Sequence, residues 1–324
     1  MTLQAGLCTA LTSSALDKLR AHGVKTATDF IVKVKDIEVL SQETLIPYKD
    51  LCSIQRVLLA EHSAYPTLAS CLYEKAIASL MILSTGCQSL DDLLDGGLYT
   101  GELTELAGDS VSGKTKICLW CAAMTVLVGD HSVVYIDSSS SFSAGYLKDI
   151  MSKNIGPGQS LSDDLIRSKL QKVKYTQVFD IYDLFSALDA IMTDLNQQTP
   201  VKYPDLKLLI VDSLASLIYP IMGGNISFCQ GLICQLGLKL KQLATHYSLA
   251  VLVTNYLTSS FNGGKKKPAL GKAWSHVPHM RVILQKPVGG QGPSREAVLV
   301  KSNRQQTPKS ALFSLDKDEP YEPG

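Results

Sequence analysis

Several absences narrow the field before any motif is read. There is no excess of one charge: 31 Lys and Arg against 30 Asp and Glu leave a net +1, which excludes a histone-like polycation. A neutral total does not exclude a local basic site, because nucleic-acid binding needs only a patch. No apolar run reaches the roughly 18–20 residues of a membrane-spanning helix. The longest runs from Ile117 to Val128 and falls short, so no membrane association is expected. The opening MTLQAGLCTALTSS has no basic start followed by an apolar stretch, and no signal peptide is read there. Eight cysteines are scattered without a dense framework, the pattern of a reducing compartment, cytosol or nucleus. Cys118-Leu-Trp-Cys121 has no second pair to complete a zinc site and reads as two small buried hydrophobes. His-Glu-x-x-His and Gly-x-Ser-x-Gly are missing, and with them two common hydrolytic centres.

What is present is a chain able to bury a large core. Of its 324 residues, 45% are apolar and only 19% charged, so wholesale disorder is excluded. Residues 1–62 read as a small helical domain, with Leu16, Leu19, Leu40 and Leu45 among polar neighbours and Leu51, Ile54, Val57 and Leu58 at helical spacing. Residues 63–82 read as a linker holding short sticky segments. From residue 83 to 324 strands alternate with helices, which predicts an α/β core with a mostly parallel central sheet and helices on both faces. The predicted strands are Leu103–Ala107, Val133–Asp137, Val173–Val178, Leu208–Asp212 and Leu249–Thr254. Helices are predicted at Lys114–Val128, Asp180–Gln197 and Gln230–Thr245. After Arg281 the spacing favours antiparallel strands at one sheet edge, Arg281–Gln285, Ala297–Lys301 and Ala311–Leu315. Two gaps interrupt this core, Tyr219–Phe228 and Tyr256–His276, and the second is too long for an idle loop.

One motif is complete. Gly108-Asp109-Ser110-Val111-Ser112-Gly113-Lys114-Thr115 spells a phosphate-binding loop, following a predicted strand and opening a predicted helix. Glycines let the backbone curl with its N–H groups inward, and the helix N-terminus adds positive potential. Lys114 would reach the β- and γ-phosphates of ATP, and the Thr115 hydroxyl would hold Mg²⁺. A second acidic element belongs at the end of a neighbouring buried strand, and Leu208-Leu-Ile-Val-Asp212 supplies it. Asp212 would contact the Mg²⁺ directly or through water. Asp91, Asp92 and Asp95 read instead as a solvated helix face.

The strings around this motif carry a resemblance. Ser84-Thr-Gly-Cys-Gln-Ser-Leu-Asp-Asp-Leu-Leu-Asp-Gly-Gly-Leu98, Thr100-Gly-Glu-Leu-Thr-Glu105, Tyr135-Ile-Asp137, Val253-Thr-Asn255, and Lys267-Pro-Ala-Leu-Gly271 before Trp274, Ser275 and His276 resemble the RecA-type strand-exchange recombinases of eukaryotes. Leu72-Tyr-Glu, Ile82-Leu-Ser-Thr-Gly86 and Lys267–Ser275 are most like the D-type paralogue branch of that family. The resemblance covers about residues 83–315, and more weakly the first helical domain. It implies a RecA-like ATPase core, single-stranded DNA binding, assembly with other paralogues, homologous-recombination repair and a nuclear location. It also exposes two departures. The family's water-positioning glutamate falls on Ser139, and its γ-phosphate-sensing glutamine falls on Tyr256. A serine is no carboxylate base, and such a base is worth roughly 10²–10⁴-fold in rate. ATP binding with weak hydrolysis is therefore expected. Two alternatives stay open at this point: a DNA-stimulated ATPase using another carboxylate such as Glu105, and an interaction scaffold with a relic phosphate loop.

In RecA-like folds the loops after the fourth and fifth core strands hold DNA, and here those loops are the two gaps. Between Asn255 and Leu315 stand ten Lys or Arg and one acidic residue, Glu296. Lys265, Lys266, Lys267 and Lys272 lie beside Tyr256, Phe261 and Trp274, a mixture that can release phosphate counterions and stack on bases. The first gap holds Gly223-Gly-Asn225 but no basic residue. In the linker, Tyr73-Glu-Lys-Ala76 spells the family's aromatic-x-x-Ala motif, which predicts Tyr73 and Ala76 as anchors on a partner, with a strand added to the partner's sheet edge.

Overall fold

The computed structural model describes residues 3, 6–33, 36–63, 66–154, 163–197, 202–223, 226–258, 266–287 and 292–316. The chain divides into two compact units, Met1–Glu74 and Lys75–Gly324.

The smaller unit is helical, and its helix starts are set by side chains. Thr12 accepts from the Ala15 N–H at 3.2 Å and opens α1 (Ser13–Ala21). Asp36 accepts from the Glu38 N–H at 2.9 Å and opens α2 (Ile37–Thr44). Pro47, with its fixed φ, leads into α3 (Tyr48–His62). Leu16, Leu19, Phe30, Leu51, Ile54 and Leu58 fill the core between them. Leu45 departs from the apolar pattern and is 79% exposed, because it ends α2 in the left-handed conformation (φ 53°) and turns outward. The division between the units falls within α4 (Ala69–Ser79), a helix that buries none of its residues.

The larger unit opens with β1 (Ile82–Leu83), α5 (Gln88–Leu93) and β2 (Leu98–Tyr99), then β3 (Leu103–Gly108), α6 (Lys114–Leu127) and β4 (Ser132–Asp137). It continues through α7 (Ala144–Lys153), α8 (Asp163–Leu170), β5 (Val173–Gln177), α9 (Ile181–Leu195) and β6 (Leu206–Asp212). Next come α10 (Leu214–Ile218), α11 (Ile226–His246), β7 (Ala250–Asn255), β8 (Leu257–Thr258), β9 (Lys267–Pro268) and α12 (Gly271–Ser275). The chain closes with β10 (Met280–Gln285), β11 (Ser294–Lys301) and β12 (Lys309–Ser314). Eight of the strands form one sheet in the order β12-β11-β10-β3-β7-β6-β4-β5.

Strand residues alternate between two cores, which is why the central strands read as unbroken apolar runs. Val133, Tyr135, Leu208 and Ile210 join Ile117, Leu119 and Leu147 of α6 and α7 on one face. Val134, Ile136, Leu209 and Val211 join Leu184, Leu188, Leu236 and Leu240 of α9 and α11 on the other. The expected α/β sheet with helices on both faces is the fold observed. Helix α6 is apolar all round because it is buried all round, from Ile117 to Val126.

The main topological difference concerns β10. It pairs antiparallel with β11, as expected, but parallel with β3. The connection through α12 returns the chain to the N-terminal end of β3, where His279 and Leu103 exchange hydrogen bonds at 2.9 Å, so β10 leaves in the direction of β3. Of the eight strands only β11 runs against the sheet, since β12 is antiparallel to β11 and so takes the direction of β10 again. In the order β3-β7-β6 these three strands run parallel, so Gly108 and Asp212 end at one sheet edge.

Candidate functional site

At that edge the chain leaves Gly108, curls through Asp109–Gly113 and enters α6 at Lys114. Two glycines are required. A Cβ on Gly108 would overlap Ser112, and Gly113 has φ 100° with Leu315 seated where its Cβ would stand. The Lys114 ammonium donates to the carbonyls of Gly108 and Asp109, each at 2.8 Å, and to Ser112 Oγ at 3.4 Å. Burial lowers its pKa, while Asp212 and Asp109 pull the other way.

Asp212 is buried at the end of β6 and takes a hydroxyl from each of three neighbouring elements. Its Oδ2 accepts from Thr115 Oγ1 at 2.6 Å and from the Tyr135 hydroxyl at 3.0 Å; its Oδ1 accepts from Thr254 Oγ1 at 2.5 Å. The Tyr135 phenol is pushed far above its ordinary pKa, chiefly by burial and then by neighbouring acidic groups, so it remains a donor. Sequence reading paired Thr115 with Asp212 but gave Tyr135 and Thr254 no role. Their signal was a polar side chain inside an otherwise apolar strand.

A cavity of about 530 Å³ opens here, lined among others by Ser110, Lys114, Thr115, Ser139, Asp212 and Tyr256. A hydroxyl and a carboxylate 2.6 Å apart are hard oxygen donors of the kind Mg²⁺ takes, so the residues present fit that ion. Ser139 is turned away from such a role. Its N–H and Oγ both bond Asp137 Oδ1, at 2.8 and 3.2 Å, and its Oγ meets Ser141 Oγ at 2.9 Å. Tyr256 presents its ring 5.2 Å from the Lys114 ammonium.

Glu105, considered above as a substitute base, is excluded from the cavity. It is fully buried, its Oε1 accepts from Asn255 Nδ2 at 2.6 Å and Trp274 Nε1 at 2.9 Å, and its Oε2 pairs with Arg281 Nε. The same network corrects the expectation for Trp274. Its ring is 1% exposed and bound to Glu105, so it offers no stacking face. Asp91 is likewise no solvated side chain: it is buried, accepting from Ser84 Oγ at 2.6 Å and the Thr85 N–H at 2.7 Å, and burial raises its pKa above the ordinary value. Cys118 and Cys121 are fully buried, and burial pushes both thiols well up.

The basic segment is divided in space. Lys265 and Phe261 lie outside the described residues. Lys266 reaches back to the phosphate loop and pairs with Asp109 at 2.5 Å. Lys267 is exposed in β9, paired with Thr258 in β8. Lys272 is exposed on α12 and lines a cavity of about 520 Å³ with Lys267, Tyr219, Met222 and Arg281. The structure thus brings the first gap (Tyr219, Met222) beside the second. The half-exposed aromatic at this face is Tyr219. The three arginines among the ten basic residues counted above are engaged internally: Arg281 with Glu105, Arg295 with backbone carbonyls, and Arg304 with Glu102, Asp95 and the Tyr99 ring. Lys301 and Lys309 donate to the Ser275 carbonyl at 3.2 Å and to Gln305 at 2.8 Å.

Tyr73 and Ala76 are both exposed, three residues apart and therefore on one side of α4. The expected strand addition is not the form this segment takes, since the motif is helical here.

Comparison with known proteins agrees with this geometry. A family profile described as Rad51 matches residues 76–318, and one described as the RAD51D N-terminal domain matches residues 1–61. The DNA repair protein RAD51 homolog 4 of Bos taurus is 38% identical over 307 residues, covering 94% of this chain and 92% of the relative. Its Mus musculus counterpart is 37% identical over 316 residues, covering 97% and 94%. The probable DNA repair protein RAD51 homolog 4 of Dictyostelium discoideum is 28% identical, covering 88% of each chain. The resemblance carried by the motifs is borne out over nearly the whole length: the chain belongs to the Rad51 family.

Proposed function

We propose that this chain is an ATP-binding recombinase paralogue that binds single-stranded DNA and joins other paralogues in a hetero-oligomer for homologous-recombination repair in the nucleus. ATP acts here as a ligand that orders the subunit, with weak hydrolysis at most. The relatives' names speak of DNA repair, and the reading of this chain's own site rests on one contrast. Lys114 lines the same cavity as the hydrogen-bonded pair Thr115 and Asp212, while Ser139 is folded onto Asp137.

In this reading the backbone N–H groups of Gly108–Thr115 and the N-terminus of α6 face the phosphates. Lys114 exchanges the Gly108 and Asp109 carbonyls for phosphate oxygens, and the Thr115 hydroxyl with Asp212 holds Mg²⁺. Bound Mg²⁺ supplies charge neutralisation at the β- and γ-phosphates. Tyr135 and Thr254 keep Asp212 oriented by donating to it. No carboxylate at Ser139 takes a proton from water, so ATP persists and its occupancy becomes the signal. The DNA face is formed by Lys266, Lys267 and Lys272, with Lys265 in the same run, and the partner face by Tyr73 and Ala76 on α4. The test is ATP turnover and ATP binding by the purified chain, with and without single-stranded DNA, against Lys114→Ala. Binding without turnover above that blank is expected; turnover that rises with DNA would overturn the ligand role.

A further inference from the structure

Val111 sits at the crown of the phosphate loop, 84% exposed, with φ 64°. A β-branched residue rarely holds the left-handed conformation, because its Cβ crowds the following carbonyl. Such a conformation persists only where the surroundings impose it. The restraint comes from far along the chain. Arg295, at the start of β11, donates from Nη2 to the Val111 carbonyl at 3.3 Å, and from Nη1 to the carbonyls of Gly292 at 3.0 Å and Ser294 at 2.8 Å.

Arg295 is an unusual residue to bury. It is 6% exposed, has no carboxylate partner among the described residues, and leaves its Nε without a hydrogen bond. A guanidinium stays charged in any such setting, and burying a charge among neutral oxygens is costly unless an anion compensates it. The compensating anion that fits is a phosphate chain lying on the loop this arginine supports. The same edge of the sheet grips the other end of the loop: Leu315, just after β12, packs against Gly113, and Asp316 lies 3.9 Å from Lys116 in the first turn of α6.

We infer that Arg295 is a positioning residue for nucleotide binding, holding the crown of the phosphate loop through the Val111 carbonyl while adding buried positive charge beneath it. This rests on the ATP-binding reading above. It makes the antiparallel edge, which lies outside the parallel core, part of the nucleotide site.

The test is ATP affinity by titration calorimetry for the full chain, Arg295→Ala and Arg295→Lys, each in the native and in a Val111→Gly background. Arg295→Ala is expected to weaken ATP about tenfold, the scale of one charge-assisted hydrogen bond. Arg295→Lys, lacking the planar fork, should recover little of that loss. Glycine adopts φ 64° without strain, so in the Val111→Gly background the cost of Arg295→Ala should fall below about threefold. An affinity unchanged by Arg295→Ala, or a loss equally large in both backgrounds, would overturn the inference. Should the unaltered chain bind no ATP, the proposed function fails instead. Amide hydrogen exchange over residues 108–113 then decides for Arg295: severalfold faster exchange in Arg295→Lys supports it, and unchanged exchange overturns it.

Discussion

Glu105→Gln separates a structural carboxylate from a catalytic one. In the native chain Glu105 Oε1 accepts from Asn255 and Trp274 while Oε2 faces Arg281 Nε, all within a site closed to solvent. A glutamine keeps one oxygen for Asn255 and Trp274. Its amide nitrogen then faces the guanidinium donor to donor, and the Arg281 charge loses its partner. Arg281 has little solvent to turn to, since its side chain is 11% exposed and its Nη2 already lacks a partner.

Breaking a buried pair from one side costs about 3–5 kcal/mol, and the retained acceptor places this case near 3. For a unit of this size that lowers the melting temperature by about 6–12 °C. Removing both partners with Glu105→Gln and Arg281→Met should restore much of the loss, because no buried charge is then left alone. The assay is thermal unfolding by circular dichroism, with ATP turnover measured on the same samples. A Glu105→Gln variant that melts like the native chain yet loses ATP turnover would refute the reasoning and return Glu105 to the role of base.

Two further outcomes follow from the same geometry. His279 accepts the Leu103 N–H at 2.9 Å through Nδ1, and burial first, then Lys241 and Lys301, hold its pKa below the ordinary value. Below about pH 6.5 the unfolded chain then binds the proton more readily than the fold, so stability falls as pH drops from there toward the depressed value. His279→Gln should flatten the melting temperature between pH 7 and 5, and an unaltered slope would count against the contact. At the basic face, Lys272→Ala should weaken single-stranded DNA and reduce the salt slope by about 0.7, the share of one phosphate on a single strand. Arg304→Lys should leave both unchanged, because that side chain is spent on Glu102, Asp95 and Tyr99.

How far the sequence could be read depends on where each residue's partners lie. The phosphate loop is contiguous, and its setting between β3 and α6 is local, so its residues could be named from the string alone. Asp212 was found because four apolar residues before a carboxylate have few homes other than a buried strand end. Glu105, Trp274 and Arg295 gave no such signal. Trp274 meets Glu105 across 169 residues and Arg295 meets Val111 across 184, and nothing local to either residue encodes the pairing. Asp91 was misjudged for a related reason. Its run of acids resembles a wet helix face, but the Ser84 hydroxyl and the Thr85 N–H and burial make it a capping residue for the preceding turn. The direction of β10 was hidden by α12, a helix of five residues too short to leave a periodic pattern.

The basic excess after Asn255 shows what a finer reading can extract. Its three arginines, Arg281, Arg295 and Arg304, are all drawn inward, each fork holding carboxylates or carbonyls from other elements. Lys267, Lys272 and Lys286 point to solvent, and Lys266 is half exposed on Asp109. The division follows from chemistry. A planar guanidinium can satisfy several fixed acceptors at once and tolerates burial, whereas an ammonium on a flexible stem is strongly hydrated and stays at the surface. In a fold already recognised as α/β, the charge available to a phosphate backbone is therefore better counted from lysines than from lysines and arginines together. By that count the exposed basic charge gathers at the second gap, where Lys266 also reaches Asp109 of the phosphate loop.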